Sequence, residues 1–214
     1  VTSEFSITPA ALTVTASSGQ SKVYGATEPT LTYDITGFVN GDDEAGLDSA
    51  VSIARTAGEA VGAYTITPSG AADGNYSISF VSSEFNITPA ALTVTVDSGQ
   101  SKVYGATEPT LTYGITGFVN GDAEAGLDSA VSIARAAGEA VGGYTVTPSG
   151  AADGNYTISY VTSDFSITPA ELTVTVDSGQ SKVYGATDPT LTYDISGFVN
   201  GDTVASLGRA VSIA

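Results

Sequence analysis

The sequence contains no histidine, cysteine, methionine or tryptophan, and only 6 of its 214 residues are lysine or arginine. Without histidine or cysteine, a His-dependent catalytic triad, a thiol nucleophile, a disulfide framework and a Cys/His zinc site are all excluded. The missing cysteine leaves the redox compartment open. Six cations stand against 23 acidic residues, for a net charge of −17, so no basic stripe can form and nucleic acid is not an expected partner. No apolar run reaches the roughly 18 residues of a membrane-spanning helix. The first residues, Val1-Thr2-Ser3-Glu4, lack a basic stretch followed by an apolar one and do not read as a signal peptide. Charged residues reach only 14%, well below the roughly 25% of an ordinary globular protein. Hydrophobic residues still make up 42%, so a core can form and whole-chain disorder is not expected.

A repeat organises what is present. Ser21-Lys22-Val23-Tyr24-Gly25-Ala26-Thr27-Glu28-Pro29-Thr30 recurs unchanged at 101–110, and again at 181–190 with Asp188 in place of the glutamate. The spacing is the same throughout, with no insertion, and 69 of 80 positions match between 1–80 and 81–160. Aligning 161–214 with 81–134 gives 12 differences in 54. Such a period marks a tandem array. The linker candidate is Ile7-Thr8-Pro9-Ala10, repeated at 87–90 and 167–170, because proline lacks a ladder donor and fixes φ where one sheet stops and the next starts. Repeat units then span 11–90 and 91–170, residues 1–10 read as the final strand of a preceding repeat, and 171–214 as a truncated unit.

Within a unit the period is two. Leu12 and Val14 alternate with threonines, as do Leu31, Tyr33 and Ile35 with Thr32, Asp34 and Thr36. The pattern continues in Tyr64/Ile66, Tyr76/Ile78/Phe80 and Phe85/Ile87. Half-buried strands carry this alternation, and Ser18-Gly19, Gly25, Asn40-Gly41, Ser69-Gly70 and Asp73-Gly74-Asn75 break it as turns. Only residues 41–47 invite helix, with Asp42 or Asp43 as N-cap. The expected fold is mostly β: a linear tandem array of small β-sandwich- or β-grasp-like domains, one per repeat. Each has six or seven short strands and one short helical turn. Units this small bury a marginal core, so neighbouring repeats are expected to stabilise one another, and end-to-end stacking would give a rod of about 100 Å.

The ordered set of Lys22–Tyr33 (Lys-Val-Tyr-Gly-Ala-Thr-Glu-Pro-Thr-Leu-Thr-Tyr), Gly37–Asp42 (Gly-Phe-Val-Asn-Gly-Asp), Gly74–Ile78 (Gly-Asn-Tyr-Ser-Ile) and Phe85–Ala90 (Phe-Asn-Ile-Thr-Pro-Ala) resembles the MBG repeat of the Tyr-Gly-X type. That family occurs in tandem arrays in large bacterial surface proteins and adhesins. The resemblance covers the whole chain and implies secretion, a mostly β domain and a role as adhesin stalk or adhesive repeat. It carries no catalytic residues.

Candidate sites are few. Asp42, Asp43, Glu44 and Asp48 could hold calcium, although their spacing departs from an EF-hand. Only the first of them persists, as Asp122 and Asp202; Asp43 becomes Ala123 and Thr203, and Glu44 becomes Glu124 and Val204. That persistence suits a helix cap better than a cage. Asp97-Ser98-Gly99 and Asp177-Ser178-Gly179 match the aspartic-protease signature, but the first unit reads Ser17-Ser18-Gly19 and a tight turn explains all three. Lys22 could form an isopeptide crosslink or, more plainly, an ion pair. Tyr24, Tyr33, Tyr64 and Tyr76 could make a carbohydrate platform, but their period-two placement with Ile and Leu reads as core. Asn75, Asn86 and Asn155 stand in sequons, with Asn75 already explained as a turn residue. No convergent nucleophile and acid are present, so an enzyme is not expected. The function that follows is a structural repeat segment, a stiff stalk or fibre body, of an extracellular or bacterial cell-surface protein. The alternative is an adhesive module that binds glycan or protein ligands by many weak contacts. The expected partners are neighbouring repeats, and other copies if the chain builds a filament.

Overall fold

The computed structural model describes residues 3–213. The first repeat contributes β1 (Ala10–Ala16), β2 (Gln20–Val23), β3 (Tyr33–Thr36), β4 (Ser52–Arg55), β5 (Gly62–Ser69), β6 (Tyr76–Val81) and β7 (Ser83–Thr88). The second gives β8 (Ala90–Val96), β9 (Gln100–Val103), β10 (Tyr113–Thr116), β11 (Ser132–Arg135), β12 (Gly142–Ser149), β13 (Tyr156–Val161) and β14 (Ser163–Thr168); the third gives β15 (Thr173–Val176) and β16 (Tyr193–Ser196). Among the described residues the helical content is three single 3-10 turns, at Glu44–Gly46, Glu124–Gly126 and Val204–Ser206. The mostly β array expected from the period-two pattern is therefore what forms. Of the strand expected within 1–10, Val1 and Thr2 lie outside the described residues and 3–9 form no strand; of the third unit, Ala214 also lies outside.

Two sheets make up the first repeat. One has the order β3-β1-β6, the other β2-β7-β5-β4. Strand β1 runs parallel to β6, pairing Leu12 with Ile78, and antiparallel to β3, pairing Val14 with Ile35. Strand β7 runs parallel to β2 and antiparallel to β5, which faces Tyr64 to Phe85. Alternation puts Leu12, Val14, Ile66, Phe85 and Ile87 in the interior and their threonine and serine neighbours on the outer face. Pro68 is tolerated inside β5 because that strand has β7 as partner only over Gly62–Ile66 and β4 over Ile66–Ser69, so no ladder bond on a second side is lost.

Two details depart from the alternation. Strand β3 begins at Tyr33 and not at Leu31, because the Gln20 side-chain amide accepts from Thr32 N at 2.8 Å and donates to Thr32 O at 3.0 Å. A side chain there takes the place of a ladder partner. The edge strand β4 has no apolar alternation long enough to mark it in the sequence.

By contact density the chain divides into two compact units. One comprises Val1–Thr93, Ile115–Ala130 and Gly150–Ser159; the other comprises Val94–Gly114, Val131–Ser149 and Tyr160–Ala214. Each unit thus joins residues of two successive repeats. In the first, Ala16, Tyr24, Ile66, Phe85, Ile87 and Ala90 of one repeat share a core with Leu92 and Tyr156 of the next. In the second, Val96, Val146, Phe165 and Ile167 form the core.

A charge cluster closes the four-stranded sheet. Arg55 forks onto Glu28 through Nε and Nη2, donates to Glu59 at 3.0 Å, and lies 5.0 Å over Tyr64 and 5.1 Å over Phe85. Lys22, its side chain only 5% exposed, donates to Glu59 at 2.6 Å and to Glu28 at 2.9 Å. Lys102, Glu108, Arg135 and Glu139 reproduce the cluster in the second unit. Bidentate Arg–carboxylate pairs over aromatic faces are among the better-formed charge contacts. The hydrogen bonds from Arg55 hold Glu28 at about 2, below its ordinary 4.5, with partial burial opposing and Lys22 adding to the depression. Arg135 and then Lys102 hold Glu108 at about 2 in the same way.

A depressed carboxylate stabilises the fold above its unfolded pKa, and that stability is lost as pH falls through the folded value. The stability advantage of the native chain over a Glu28→Gln/Glu108→Gln variant is therefore expected in full above pH 4.5 and to fade towards pH 2. Urea midpoints of the two proteins across that range check it.

Candidate functional site

The acidic residues proposed for calcium each engage a donor of the protein itself. Asp42 Oδ2 accepts the Tyr76 hydroxyl at 2.7 Å, Asp43 Oδ1 accepts Ala45 N at 3.0 Å, Glu44 accepts the Tyr33 hydroxyl, and Asp48 Oδ2 accepts Gly74 N at 3.1 Å. They do not converge, and no group of three or more possible metal ligands occurs among the described residues. The helix cap falls to Asp43 and to Thr203, while Ala123 makes no side-chain cap. The aspartate that persists through all three repeats is therefore not the cap, because the 3-10 turn starts one residue later than the capping argument needs.

The other candidates are dispersed as well. Asp97 and Asp177 begin turns, their carbonyls accepting from Gln100 and Gln180 at 2.9 Å. Lys22 is ion-paired. Tyr24 and Tyr76 are buried; Tyr64 lies under Arg55 and donates to Ala60 O at 2.7 Å, and Tyr33 donates to Glu44, so the four share no platform. Asn75 N is held by Asp73 Oδ1 at 2.7 Å in a turn. Asn86 lies on β7.

The persistent aspartate belongs to a different constellation, a joint between successive repeats. After β2 the chain is fastened by Tyr24 N to Thr88 O at 2.8 Å, and Tyr24-Gly25 projects as a short tongue. Its ring meets Tyr156 edge to face, with centroids 5.5 Å apart at 84°. Its hydroxyl donates to Asp122 Oδ2 at 2.9 Å, and the same oxygen accepts the Tyr156 hydroxyl at 2.8 Å. Beside the tongue, Val61 N donates to Asn155 Oδ1 at 2.9 Å, and Ala90 N to Asn155 O at 3.0 Å. One carboxylate thus ties tyrosines from two repeats, and one asparagine ties both flanks.

Local sequence builds each half. Asp122 follows the turn Val119-Asn120-Gly121, in which Asn120 (φ 55°) and Gly121 (φ 80°) are both left-handed and Asp122 N returns to Val119 O at 2.9 Å. Asn-Gly is the pair that adopts two successive positive φ values at least cost. Gly25 has φ 75°, and a Cβ there would lie 2.5 Å from Cβ of Val119. Glycine is thus required both by conformation and by closeness of approach. Burial, with Asp122 adding, pushes Tyr156 up to about 12, so its phenol stays a neutral donor at ordinary pH.

The second unit repeats the joint. Tyr104 donates to Asp202 Oδ2 at 3.0 Å, and a Cβ on Gly105 would lie 2.5 Å from Val199. Here Tyr104, Val141, Leu172, Phe198, Val199 and Leu207 line a cavity of about 220 Å³. At the first joint the Tyr156 ring packs among the corresponding residues.

The model of the MBG domain (YGX type) matches residues 12–86, 92–166 and 172–214. The chain belongs to the MBG (YGX type) family. No curated protein matches it. The Tyr-Gly-X of the family corresponds to Tyr24-Gly25-Ala26, Tyr104-Gly105-Ala106 and Tyr184-Gly185-Ala186, so in the first two MBG repeats these residues are the tongue of the joint. Local pattern reads these tyrosines as core and the aspartate as a cap. The available signal was that Tyr, Gly and Asp stay fixed while Asp43 and Glu44 vary.

Removing the hydroxyl in Tyr24→Phe deletes a hydrogen bond to a charged acceptor and is expected to cost about 1.5–3 kcal/mol. Gly25→Ala adds left-handed strain and a clash with Val119 and is expected to cost at least about 1 kcal/mol. Urea denaturation of the whole chain measures both.

Proposed function

We propose that this MBG array is a structural segment, a stiff stalk or fibre body, of a bacterial cell-surface adhesin or extracellular filament, and that it has no enzymatic role. The observation that carries this reading is the recurrence of one joint. Tyr24 with Asp122 and Tyr104 with Asp202 make the same contact one repeat apart, and a single residue, Pro89, separates β7 from β8. A one-residue proline link flanked by packed and hydrogen-bonded repeats resists bending in a way a Gly/Ser linker does not. The unit from 11 to 90 carries nine acids and two bases and the unit from 91 to 170 eight acids and two bases, and this spread of negative charge keeps neighbouring shafts apart in solution.

An adhesive role has one observation in its favour. Phe80 and Tyr160, equivalent residues on the edge strands β6 and β13, are both more than one-third exposed, and a repeated exposed aromatic suits weak multivalent binding. A flat glycan-array and cell-binding result for the whole chain removes that reading.

Small-angle scattering tests the stalk. The native chain is expected to scatter as a stiff rod, and Tyr24→Phe/Tyr104→Phe/Gly25→Ala/Gly105→Ala to shift towards a flexible chain of domains. A flexible profile for the native chain defeats the proposal.

A further inference from the structure

In the first repeat four strands stand at sheet edges: β2, β3, β4 and β6. The first three are four residues long and carry Lys22, Asp34 and Arg55. Short length and charge on an edge discourage pairing with foreign strands. Strand β6 lacks both guards. It has six residues, with no charge, proline or glycine among them, and Ser77, Ser79, Phe80 and Val81 are exposed. Strand β13 is its equal in the second repeat: six residues, uncharged, and last in its sheet. A neighbouring repeat does not close this edge. A complete repeat follows β6 in the chain and a complete repeat precedes β13, and both strands still end their sheets. Asn75 O accepts from Ala10 N at 2.9 Å, so by alternation Ser77 and Ser79 turn their backbone groups to β1, while Ile78 and Phe80 turn theirs to the open side.

Carboxylates bracket the edge. Asp73 lies three residues before β6 and Glu84 three after it, and Asp153 and Asp164 stand at the same places around β13. We propose that the free edges of β6 and β13 accept, as an added strand, an extended segment of another protein that alternates apolar and hydroxyl residues and is basic at both ends. Six residues span about 20 Å, so basic residues just outside such a segment reach the carboxylates at both ends. The buried Leu12 is the β1 partner of Ile78, which puts Ile78 and Phe80 on the core face and Ser77 and Ser79 on the outer one. An added strand therefore meets apolar neighbours on one face and hydroxyls on the other. Main-chain hydrogen bonds supply its affinity, and alternate side chains its selectivity. Charge excludes a second copy of this chain as the occupant. Pairing β6 with β6 in parallel sets Asp73 against Asp73 and Glu84 against Glu84, and antiparallel pairing sets Asp73 against Glu84; like charges placed opposite destabilise a strand pair. Nor does the chain offer basic ends of its own, because five of its six cations, Lys22, Arg55, Lys102, Arg135 and Lys182, are held by its own carboxylates. The inference goes beyond the stalk reading and does not depend on it: scattering decides the one and peptide binding the other.

Fluorescence anisotropy with the labelled peptide Lys-Val-Thr-Val-Thr-Val-Thr-Lys tests this on the full chain. Two peptides are expected to bind per chain, one on β6 and one on β13, and to slow hydrogen exchange of the backbone amides there. Affinity is expected to fall as salt rises past about 0.1 M, where the Debye length shrinks to about 10 Å. Glu84→Lys/Asp164→Lys reverses one end charge at each edge and is expected to weaken binding about tenfold. Val81→Lys/Val161→Lys places a cation on the edge itself and is expected to abolish binding. All four side chains are exposed, and unchanged urea midpoints confirm that the variants fold. The same peptide N-methylated along its middle keeps its charges but cannot complete a ladder, and is expected not to bind; that arm needs no change to the chain. Equal binding by the methylated peptide, equal binding by a peptide with glutamate ends, or no binding at low salt overturns the proposal. So does self-association of the native chain in sedimentation velocity that Val81→Lys/Val161→Lys removes, which makes a second copy the occupant.

Discussion

The carboxylate of Asp122 accepts two phenolic hydrogen bonds on one oxygen, from Tyr156 in its own repeat and from Tyr24 in the repeat before. A charged acceptor makes stronger hydrogen bonds than a neutral one, and here the charge needs no cation, since two neutral donors share it. The arrangement is possible because Tyr156 and Tyr24 meet edge to face, which brings both hydroxyls to the same side. Around this contact the apolar residues of two repeats form one continuous core. A domain as small as one repeat has little interior of its own. Sharing a core with a neighbour supplies what an isolated repeat lacks, and no disulfide is present to take that part.

The charged residues are arranged just as sparingly. Each complete repeat has one lysine and one arginine, and both engage the same pair of glutamates, the arginine also lying over the rings of a tyrosine and a phenylalanine. Of the remaining acids, Asp42, Asp122 and Glu44 accept tyrosine hydroxyls, and Asp43 caps a 3-10 turn. An acidic, chemically quiet exterior and a joint that recurs at fixed spacing are properties of a part that sets distance and direction, which is the role proposed for this MBG segment.

Much of the fold was legible in the sequence because the determinants are local. Leu12, Val14, Ile66, Phe85 and Ile87 alternate with hydroxyl residues, and the strands and their buried faces follow from that period. The strand with no mark in the sequence was β4, a four-residue edge that forms only by pairing with β5; the strand-like run around Lys22 becomes β2 because Phe85–Thr88, far along the chain, pairs with Gln20–Val23. Leu31 looked like a strand residue, and only the Gln20 amide, folded back onto Thr32, shows why the strand starts later. The candidate site was hidden for a related reason. Asp42, Asp122 and Asp202 look like helix caps when judged by their neighbours in sequence, but two of them serve a tyrosine 98 residues upstream. Asn155 reads as a turn residue or sequon until Val61 is found donating to it.

By itself, the sequence determined the repeat length, the β character, the family and the absence of thiol and histidine side chains. These follow from composition, from the strand period of two and from the longer repeat, which act at every position regardless of what lies opposite in space. Tertiary structure alone decided that the Tyr-Gly tongue belongs to one repeat and its acceptor to the next. That pairing depends on which surfaces are left facing each other once the sheets have formed, and local pattern carries no record of it.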